Sequence, residues 1–552
     1  TVTATEVRQA VQQLGEEAWM YRKSQRHPLH HSFVRAARRH PFRFAFADMT
    51  RPKVTCLESL VGAIALARAL RPYWANQQTV GILFPPSVGG VLVNLAATLA
   101  GRTTVNLNYT AGRSGMESSA KQSGLDTIVT SQLFIEKAGL ELPEGIKIIW
   151  IEEVRKNIGR SERIKGLLLA LFAPIGMLER VAGAICRPQI DDLATIIFSS
   201  GSTGEPKGVM LSHFSVDSNV EGVAQVFHMG PNDRLLGILP FFHSFGYLAT
   251  IWLAANHGIG VVYHPTPLDA GAIGELIHKK GVTLLIATPT FLQLYLRRCT
   301  PDQFGSVRVV LTGAEKLSER LAQAFDEKFG IRPIEGYGVT ECSPVISVNC
   351  PDFRASGFYQ PASRRGTVGQ PLPGVSVRIV DPETFAPLPV GSAGMLLVKG
   401  PNVMQGYLNR PDLTEKAMHE GWYITGDIAM LDEDGFISIT DRLSRFAKIG
   451  GEMVPHGKVE EALLQAVNAE MQVLAVTSIP DEKKGEQLVV LHTLEESGIP
   501  DMLEKVAASG LPNLFIPRKD AFIKVDQIPV LGTGKLDLRA LKRVAIERME
   551  KS

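Results

Sequence analysis

Residues 195–208 read TIIFSSGSTGEPKG: a β-branched and aromatic run, Thr195 to Phe198, runs straight into a loop of glycines and hydroxyls that closes on Pro206-Lys207-Gly208. Glycines let successive backbone N–H groups turn inward to form an anion-binding concavity. The hydroxyls of Ser199, Ser200, Ser202 and Thr203 add donors and Lys207 adds a cation, a composition suited to phosphate. Two standard phosphate loops do not fit. A Walker A motif needs Gly where Pro206 stands and Ser or Thr where Gly208 stands, and GxGxxG spacing is absent. A bare Gly/Ser turn is the alternative reading of the segment taken alone.

Outward from this loop, short apolar strands alternate with helical patterns. Strands are predicted at 79–84, 103–106, 127–130, 195–200, 283–287 and 307–312, with helices at 88–99 and 318–329 between them. Near-continuous apolar strands separated by helices imply parallel sheets covered on both faces, an α/β fold. From about Gly366 the chain changes to short runs punctuated by Gly and Pro, which predicts antiparallel strands closing a small β-barrel. A third texture follows: helix 458–467, strands 473–478 and 488–493, helix 502–508 and a basic terminal helix from Lys535. The expected organisation is a large domain over 1–441, with a β-barrel-like part at 355–440, and a small mobile α+β domain over 442–552. A chain of 552 residues requires more than one core, because single cores stop growing near ~250–300 residues.

Composition narrows the partners. A net charge of +2 gives no global field for nucleic acid, so none is expected. Nine Lys or Arg against one acid between Arg22 and Lys53 read either as a solvated basic face or as contact with an anionic surface. Five cysteines without CxxC spacing suggest neither a disulfide framework nor a zinc site and fit a cytoplasmic setting. The opening TVTATEVRQAVQQL has no basic region followed by an apolar core, so no secretory signal is expected. The longest apolar run, GLLLALFAPIGML at 166–178, falls short of the ~20 residues of a spanning helix. Preceded by Arg155, Lys156, Arg160, Arg163 and Lys165, it reads either as an interfacial membrane segment or as a buried core helix, Pro174 favouring the latter.

Four more motifs follow the loop in order: Gly336-Tyr337-Gly338-Val339-Thr340-Glu341, Tyr423-Ile424-Thr425-Gly426-Asp427, Asp441-Arg442 with Gly450-Gly451, and Pro529 with Gly532-Thr533-Gly534-Lys535. Together they resemble the adenylate-forming superfamily of acyl-CoA synthetases, amino-acid adenylation domains and luciferases, whose loop follows S/T-S-G-S/T-T-G-x-P-K-G. The resemblance implies attack of a carboxylate on the α-phosphate of ATP. Both reactants are anions, so the site must supply positive charge and position. It further implies that Ser199, Ser200, Gly201, Ser202, Thr203, Gly204 and Lys207 hold the β- and γ-phosphates, and that Glu341 binds Mg2+ while Thr340 bonds the α-phosphate. Tyr337 and Gly338, with Gly313, Ala314 and Glu315, would line the adenine slot. Asp427 would accept the ribose hydroxyls, with Arg442 nearby. Lys535 would carry the mobile charge for adenylation, the small domain then rotating to bring Gly450-Gly451 to the site. Ser444 departs from the family's Asp or Lys two residues after the Arg, which bears on the hinge.

The acid and the thiol are read from what surrounds these motifs. No acidic residue stands between Asp233 and Asp269, and LLGILPFFHSFGYLATIWLAANHGIGVVY is strongly apolar, which suits a fatty acid rather than an amino acid. His243 resembles the family's gate beside the substrate carboxylate, although a core or surface histidine fits too. The run DRLSRFAKIGGEMVPHGKVEEAL is similar to the acyl-[acyl carrier protein] synthetase part of bifunctional 2-acylglycerophosphoethanolamine acyltransferase/acyl-[acyl carrier protein] synthetase enzymes. No HxxxxD acyltransferase motif stands in the N-terminal region, so a transferase step is expected to be absent or to lie on another chain. Arg445, Lys448, Lys535, Arg539, Lys542, Arg543 and Arg548 could receive an acidic carrier protein or the phosphates of CoA. The expected location is cytoplasmic, with peripheral contact at the inner membrane surface. A GxSxG hydrolase elbow fails at Ser87, preceded by Pro85, and at Ser244, preceded by Phe242.

Overall fold

The computed structural model describes residues 3–199, 206–449, 452–469, 472–481, 485–509, 511–530 and 536–549. The chain divides into two compact units, one of 1–377, 398–423 and 434–437, the other of 378–397, 424–433 and 438–552. The sequence reading places a single break after 441; the compact units instead divide at 437/438 and join 378–397 and 424–433 to the C-terminal unit.

The first unit is built on two largely parallel sheets. In one, Thr103–Asn106, Thr79–Leu83, Thr127–Thr130 and Lys147–Trp150 run parallel, and Leu193–Ser199 joins them beside Thr103–Asn106. In the other, Ile334–Gly338, Val309–Thr312, Leu284–Ala287, Arg234–Gly237, Gly260–Tyr263 and Phe44–Ala47 form the parallel centre of nine strands. Strands 103–106, 127–130, 260–263, 284–287 and 309–312 are buried along their whole length, as parallel strands covered on both faces must be. Helix Val88–Leu99 starts where the Ser87 hydroxyl accepts the Gly90 N–H, a cap for an otherwise orphaned donor, and is almost wholly buried.

A smaller five-stranded sheet includes Ser376–Val380, Gly394–Lys399, Trp422–Leu431, Met418–His419 and Ile437–Arg442. Beyond it, Glu452–Pro455, Phe446–Ile449, Gly485–His492, Leu474–Asp481 and Phe522–Lys524 form a sheet with helices on each face. Period-two alternation divides its core. Leu474, Val476, Leu488 and Val490 pack with residues of helices His456–Ala466 and Ile499–Ala508, whereas Ala475, Val489 and Leu491 pack with Leu541 and Ala545 of Leu538–Met549. The fold is α/β with a C-terminal α+β part.

The apolar run 166–178 does not form one buried helix. Helix Arg160–Phe172 ends at Ala173, and Pro174 begins a second helix, Ile175–Ala182. The basic segment 22–53 is not simply a solvated face. Arg26 bonds Asp217 at 2.6 Å and Glu221 at 3.1 Å, and Arg38 donates from Nε to the Ala170 carbonyl at 2.6 Å. Within it, His30 and His31 both place Nε2 on Glu179 Oε1, at 2.8 and 2.7 Å, all three groups being buried.

Candidate functional site

In doubly wound sheets ligands meet the chain beyond the carboxyl ends of the strands, and the described motif residues of the first unit sit there. Strands Val309–Thr312 and Ile334–Gly338 run side by side, with Thr312 opposite Glu335. Gly313, Ala314 and Glu315 leave the end of one; Tyr337 and Gly338 close the other, and Val339 to Glu341 leave its end. The two segments nearly touch: a Cβ at Gly313 would come within 3.2 Å of the Gly336 carbonyl oxygen. Gly338 is tighter, a Cβ there falling 2.1 Å from the Pro344 carbonyl, so the glycine is a steric requirement. Ala314 sits at φ 70°, in the left-handed region, and Glu315 accepts the Thr290 hydroxyl at 2.8 Å. Tyr337 is half-buried.

The loop after Phe198 joins antiparallel strands Leu193–Ser199 and Lys207–Ser212, with Ser199 paired opposite Lys207 at its base. Ser200, Gly201, Ser202, Thr203 and Gly204 lie outside the described residues, as do Gly450, Gly451 and Lys535. At the base, Lys207 Nζ lies 5.4 Å from the ring centroid of Tyr407, whose strand Gly406–Tyr407 pairs with Lys207–Ser212. The Tyr407 hydroxyl donates to Glu341 Oε1 at 2.8 Å, and the Glu341 carbonyl accepts the Met404 N–H at 2.7 Å. Lys207 and Glu341, far apart in sequence, are thus linked through one tyrosine. Burial, then the nearby Glu341 carboxylate, holds the Tyr407 phenol above its ordinary pKa; burial, Glu341 and Tyr407 do the same for Tyr423. Both phenols therefore remain protonated and able to donate.

Thr340 Oγ1 lies 3.3 Å from Ser244 Oγ, which brings the PFFHSFGY segment to the GYGVTE motif. That segment turns sharply, since a Cβ at Gly246 would lie 2.2 Å from the Pro240 carbonyl oxygen. His243 is half-buried and its backbone N–H bonds the Pro240 carbonyl at 3.1 Å. Residues 247–253 are buried in the unit, so core packing alone accounts for much of the apolarity read in this stretch.

The second unit carries Asp427 and Arg442. Asp427 is 3% exposed, and Arg442 Nε lies 3.3 Å from its Oδ1 while the Arg442 side chain stays 62% exposed. Asp441 serves the fold, because its Oδ2 accepts the Gly457 N–H at the start of helix His456–Ala466. Arg445 and Lys448 are engaged within the same unit, by Glu460 at 2.6 Å and Glu383 at 2.9 Å. Arg539, Lys542, Arg543 and Arg548 lie exposed on the terminal helix.

Sequence reasoning misses Tyr407, Tyr423 and Ser244 as parts of this grouping. Tyr423 stands inside the YITGD motif, but Tyr407 lies in MQGYLNR, where only its pairing with the strand after the loop marks it.

The grouping coincides with a family match. Residues 33–408 match the AMP-binding enzyme family. The chain is an AMP-binding enzyme. It is 30% identical over 522 residues to 4-coumarate-CoA ligase 1 of Narcissus pseudonarcissus, covering 91% of this chain and 90% of that one. With a long-chain-fatty-acid–CoA ligase of Bacillus subtilis it shares 28% identity over 515 residues, covering 89% and 90%. Its fold matches O-succinylbenzoate coenzyme A synthetase of Bacillus subtilis in complex with ATP and magnesium ion, at TM-score 0.75 and 24% identity over 92% and 98% of the two chains. The AMP-binding enzyme is accordingly an ATP-dependent, AMP-forming ligase that joins a carboxylic acid to a thiol.

Proposed function

We propose that this ligase activates a fatty acid and transfers it to CoA or acyl carrier protein. The observation that supports the chemistry best is the chain Lys207–Tyr407–Glu341, which sets a cation and a carboxylate around one protonated phenol at the base of the phosphate loop. In this reading Ser199 to Lys207 hold the β- and γ-phosphates, and Tyr337 with Gly313, Ala314 and Glu315 takes the adenine. Thr340, steadied by Ser244, bonds the α-phosphate, and Asp427, oriented by Arg442, takes the ribose. Glu341 offers the hard oxygen that Mg2+ prefers, and Tyr407 holds that carboxylate through a neutral donor, so its charge remains available. When bound, the ion would neutralise phosphate charge; the residues position and the loop supplies further charge.

The acid's carboxylate oxygen, with His243 beside it, forms a bond to the α-phosphorus as the bond to pyrophosphate breaks. Lys535, as a point charge, stabilises the negative charge shared between them. The thiol then attacks the acyl carbon and AMP leaves, after rotation of the small domain presents Gly450-Gly451. Support for a fatty acid comes from the acid-free stretch 234–268 and from the fatty-acid ligase among the relatives. The CoA ligases among them favour CoA, while the exposed basic row on the terminal helix suits either acceptor. A peripheral place at the inner membrane surface belongs to the same proposal, because fatty acids partition into bilayers.

Pyrophosphate release is the test, measured with fatty acids of several lengths and with 4-coumarate, first with CoA and then with acyl carrier protein. Release with fatty acids, abolished in Lys535→Ala, is expected. Release with 4-coumarate alone would replace the fatty acid by an aryl acid.

A further inference from the structure

Helix Arg160–Phe172 is amphipathic in the reverse sense. A surface helix of a globular protein turns its large apolar residues inward and its polar ones outward. Here the inward positions are Gly166 and Ala170, both buried, and a Cβ at Gly166 would sit 3.4 Å from Val61 of helix Cys56–Trp74. Ile164, Leu167, Leu168, Leu171 and Phe172, spaced i, i+3, i+4, i+7 and i+8, all face out, with Leu168 54% and Phe172 77% exposed. Met177 continues the apolar surface on helix Ile175–Ala182. Small residues let the helix lie close against its neighbour, and Arg38 ties its end down through the Ala170 and Leu169 carbonyls at 2.6 and 3.3 Å. The helix is therefore held rigidly with its apolar face outward.

Charge selects what covers that face. Between 155 and 180 there are six Lys or Arg and two acids, of which Glu179 is buried and Glu162 is paired with Arg68 at 2.9 Å and Lys165 at 2.9 Å. Arg155, Lys156, Arg160, Arg163 and Arg180 are exposed, and Arg155 and Arg163 also act electrostatically on Arg51. An apolar strip flanked by cations matches a layer of acyl chains beneath anionic headgroups. At ~1.5 Å per residue the helix is about 20 Å long, too short to span. No helix among the described residues is long and apolar enough to cross a membrane.

We infer that the outward face of Arg160–Phe172 is a membrane-docking surface that lies in the plane of an anionic lipid leaflet. The inference rests on the fatty-acid reading only in supplying a reason for such a surface. Ile164, Leu168 and Phe172 enter the acyl boundary while Arg155, Lys156, Arg160 and Arg163 meet the headgroups.

Co-sedimentation of the full chain with phosphatidylcholine vesicles, with and without phosphatidylglycerol, tests this. Binding is expected to anionic vesicles and to fall at least ~10-fold between ~0.05 and ~0.5 M salt. Leu168→Ser/Phe172→Ser and Arg160→Glu/Arg163→Glu are each expected to reduce binding ~10-fold or more. Both pairs are exposed, so folding should survive, and pyrophosphate release with a short, water-soluble fatty acid should stay at the wild-type rate. That last assay separates the two ideas: absent release for every acid sinks the fatty-acid reading without touching vesicle binding. Wild-type chain that ignores anionic vesicles, or variants that bind like wild type, would overturn the docking surface. So would a face variant that changes the oligomeric state without lipid, because the face would then be covered by a second copy of the chain.

Discussion

Replacing Tyr407 by Phe removes one oxygen and tests the link between Glu341 and the phosphate loop. The lost bond is a 2.8 Å O–H donation to a carboxylate, and its donor is held protonated by burial and by Glu341 itself. Hydrogen bonds to a charged group contribute about 1.5–3 kcal/mol, which corresponds to a fall in kcat/KM of roughly 10- to 150-fold if the bond is formed throughout the reaction. Phe keeps the ring 5.4 Å from Lys207 Nζ, so the cation–π contact survives; Tyr407→Leu loses it too, at a further cost of about 0.5–1 kcal/mol, or 2- to 5-fold. Because Glu341 is the proposed Mg2+ ligand, the defect should appear chiefly as a raised Mg2+ requirement in ATP–pyrophosphate exchange and shrink at high Mg2+. The Tyr407 phenol stands above its ordinary value near ~10, so it should contribute no ionisation to the wild-type pH profile below that. Exchange within twofold of wild type at low Mg2+ would refute the reasoning. A loss matched by a large fall in Tm and insensitive to Mg2+ would also do so, by making the bond structural.

Asp427→Asn keeps one acceptor but removes the charge facing Arg442, so KM for ATP should rise roughly 10-fold with a smaller change in kcat; an unchanged KM would detach Asp427 from the nucleotide. Burial alone would raise the Glu179 pKa, but hydrogen bonds from His30 and His31 hold it at about 2. Its stabilisation is therefore complete above the ordinary value of 4.5 and is lost as pH falls from there through about 2. His30 is pushed below its ordinary value of 6.5 by burial first, so it too favours the folded state at higher pH and ceases to as pH falls below 6.5. Glu179→Gln should lower stability by about 1–3 kcal/mol at pH 7 and flatten the acid limb of the denaturant-midpoint profile below pH 4.5; a parallel profile would contradict this. Arg38→Leu leaves the Leu169 and Ala170 carbonyls without their cationic donor, and should speed amide exchange in 160–173 without altering exchange in 474–492.

Local patterns were readable wherever one physical cause dominated. The strands at 103–106 and 127–130 and the helix at 88–99 have the bounds that their apolar runs predict, because burial on both faces leaves no other arrangement for such residues. The motifs Gly336 to Glu341 and Tyr423 to Asp427 marked, through the resemblance they carry, the residues that the proposed function uses. Other readings were underdetermined. Arg445 and Lys448 look like free cations in sequence, and their partners Glu460 and Glu383 are 15 and 65 residues away. The apolar stretch 247–253 looks like a substrate wall, yet a buried core segment has the same composition.

For this chain, sequence by itself determined the α/β alternation, the ordered motifs and hence the kind of reaction, because these rest on neighbours within a few residues. Tertiary structure decided which side chains meet. Tyr407 and Glu341 stand 66 residues apart and Ser244 and Thr340 96 apart, and only the pairing of Gly406–Tyr407 with Lys207–Ser212 and the turn at Gly246 join them. Tertiary structure also decided the outward direction of Leu168 and Phe172. Helical periodicity groups them on one face, but small residues at 166 and 170 and the Arg38 bond, set by distant packing, determine where that face points.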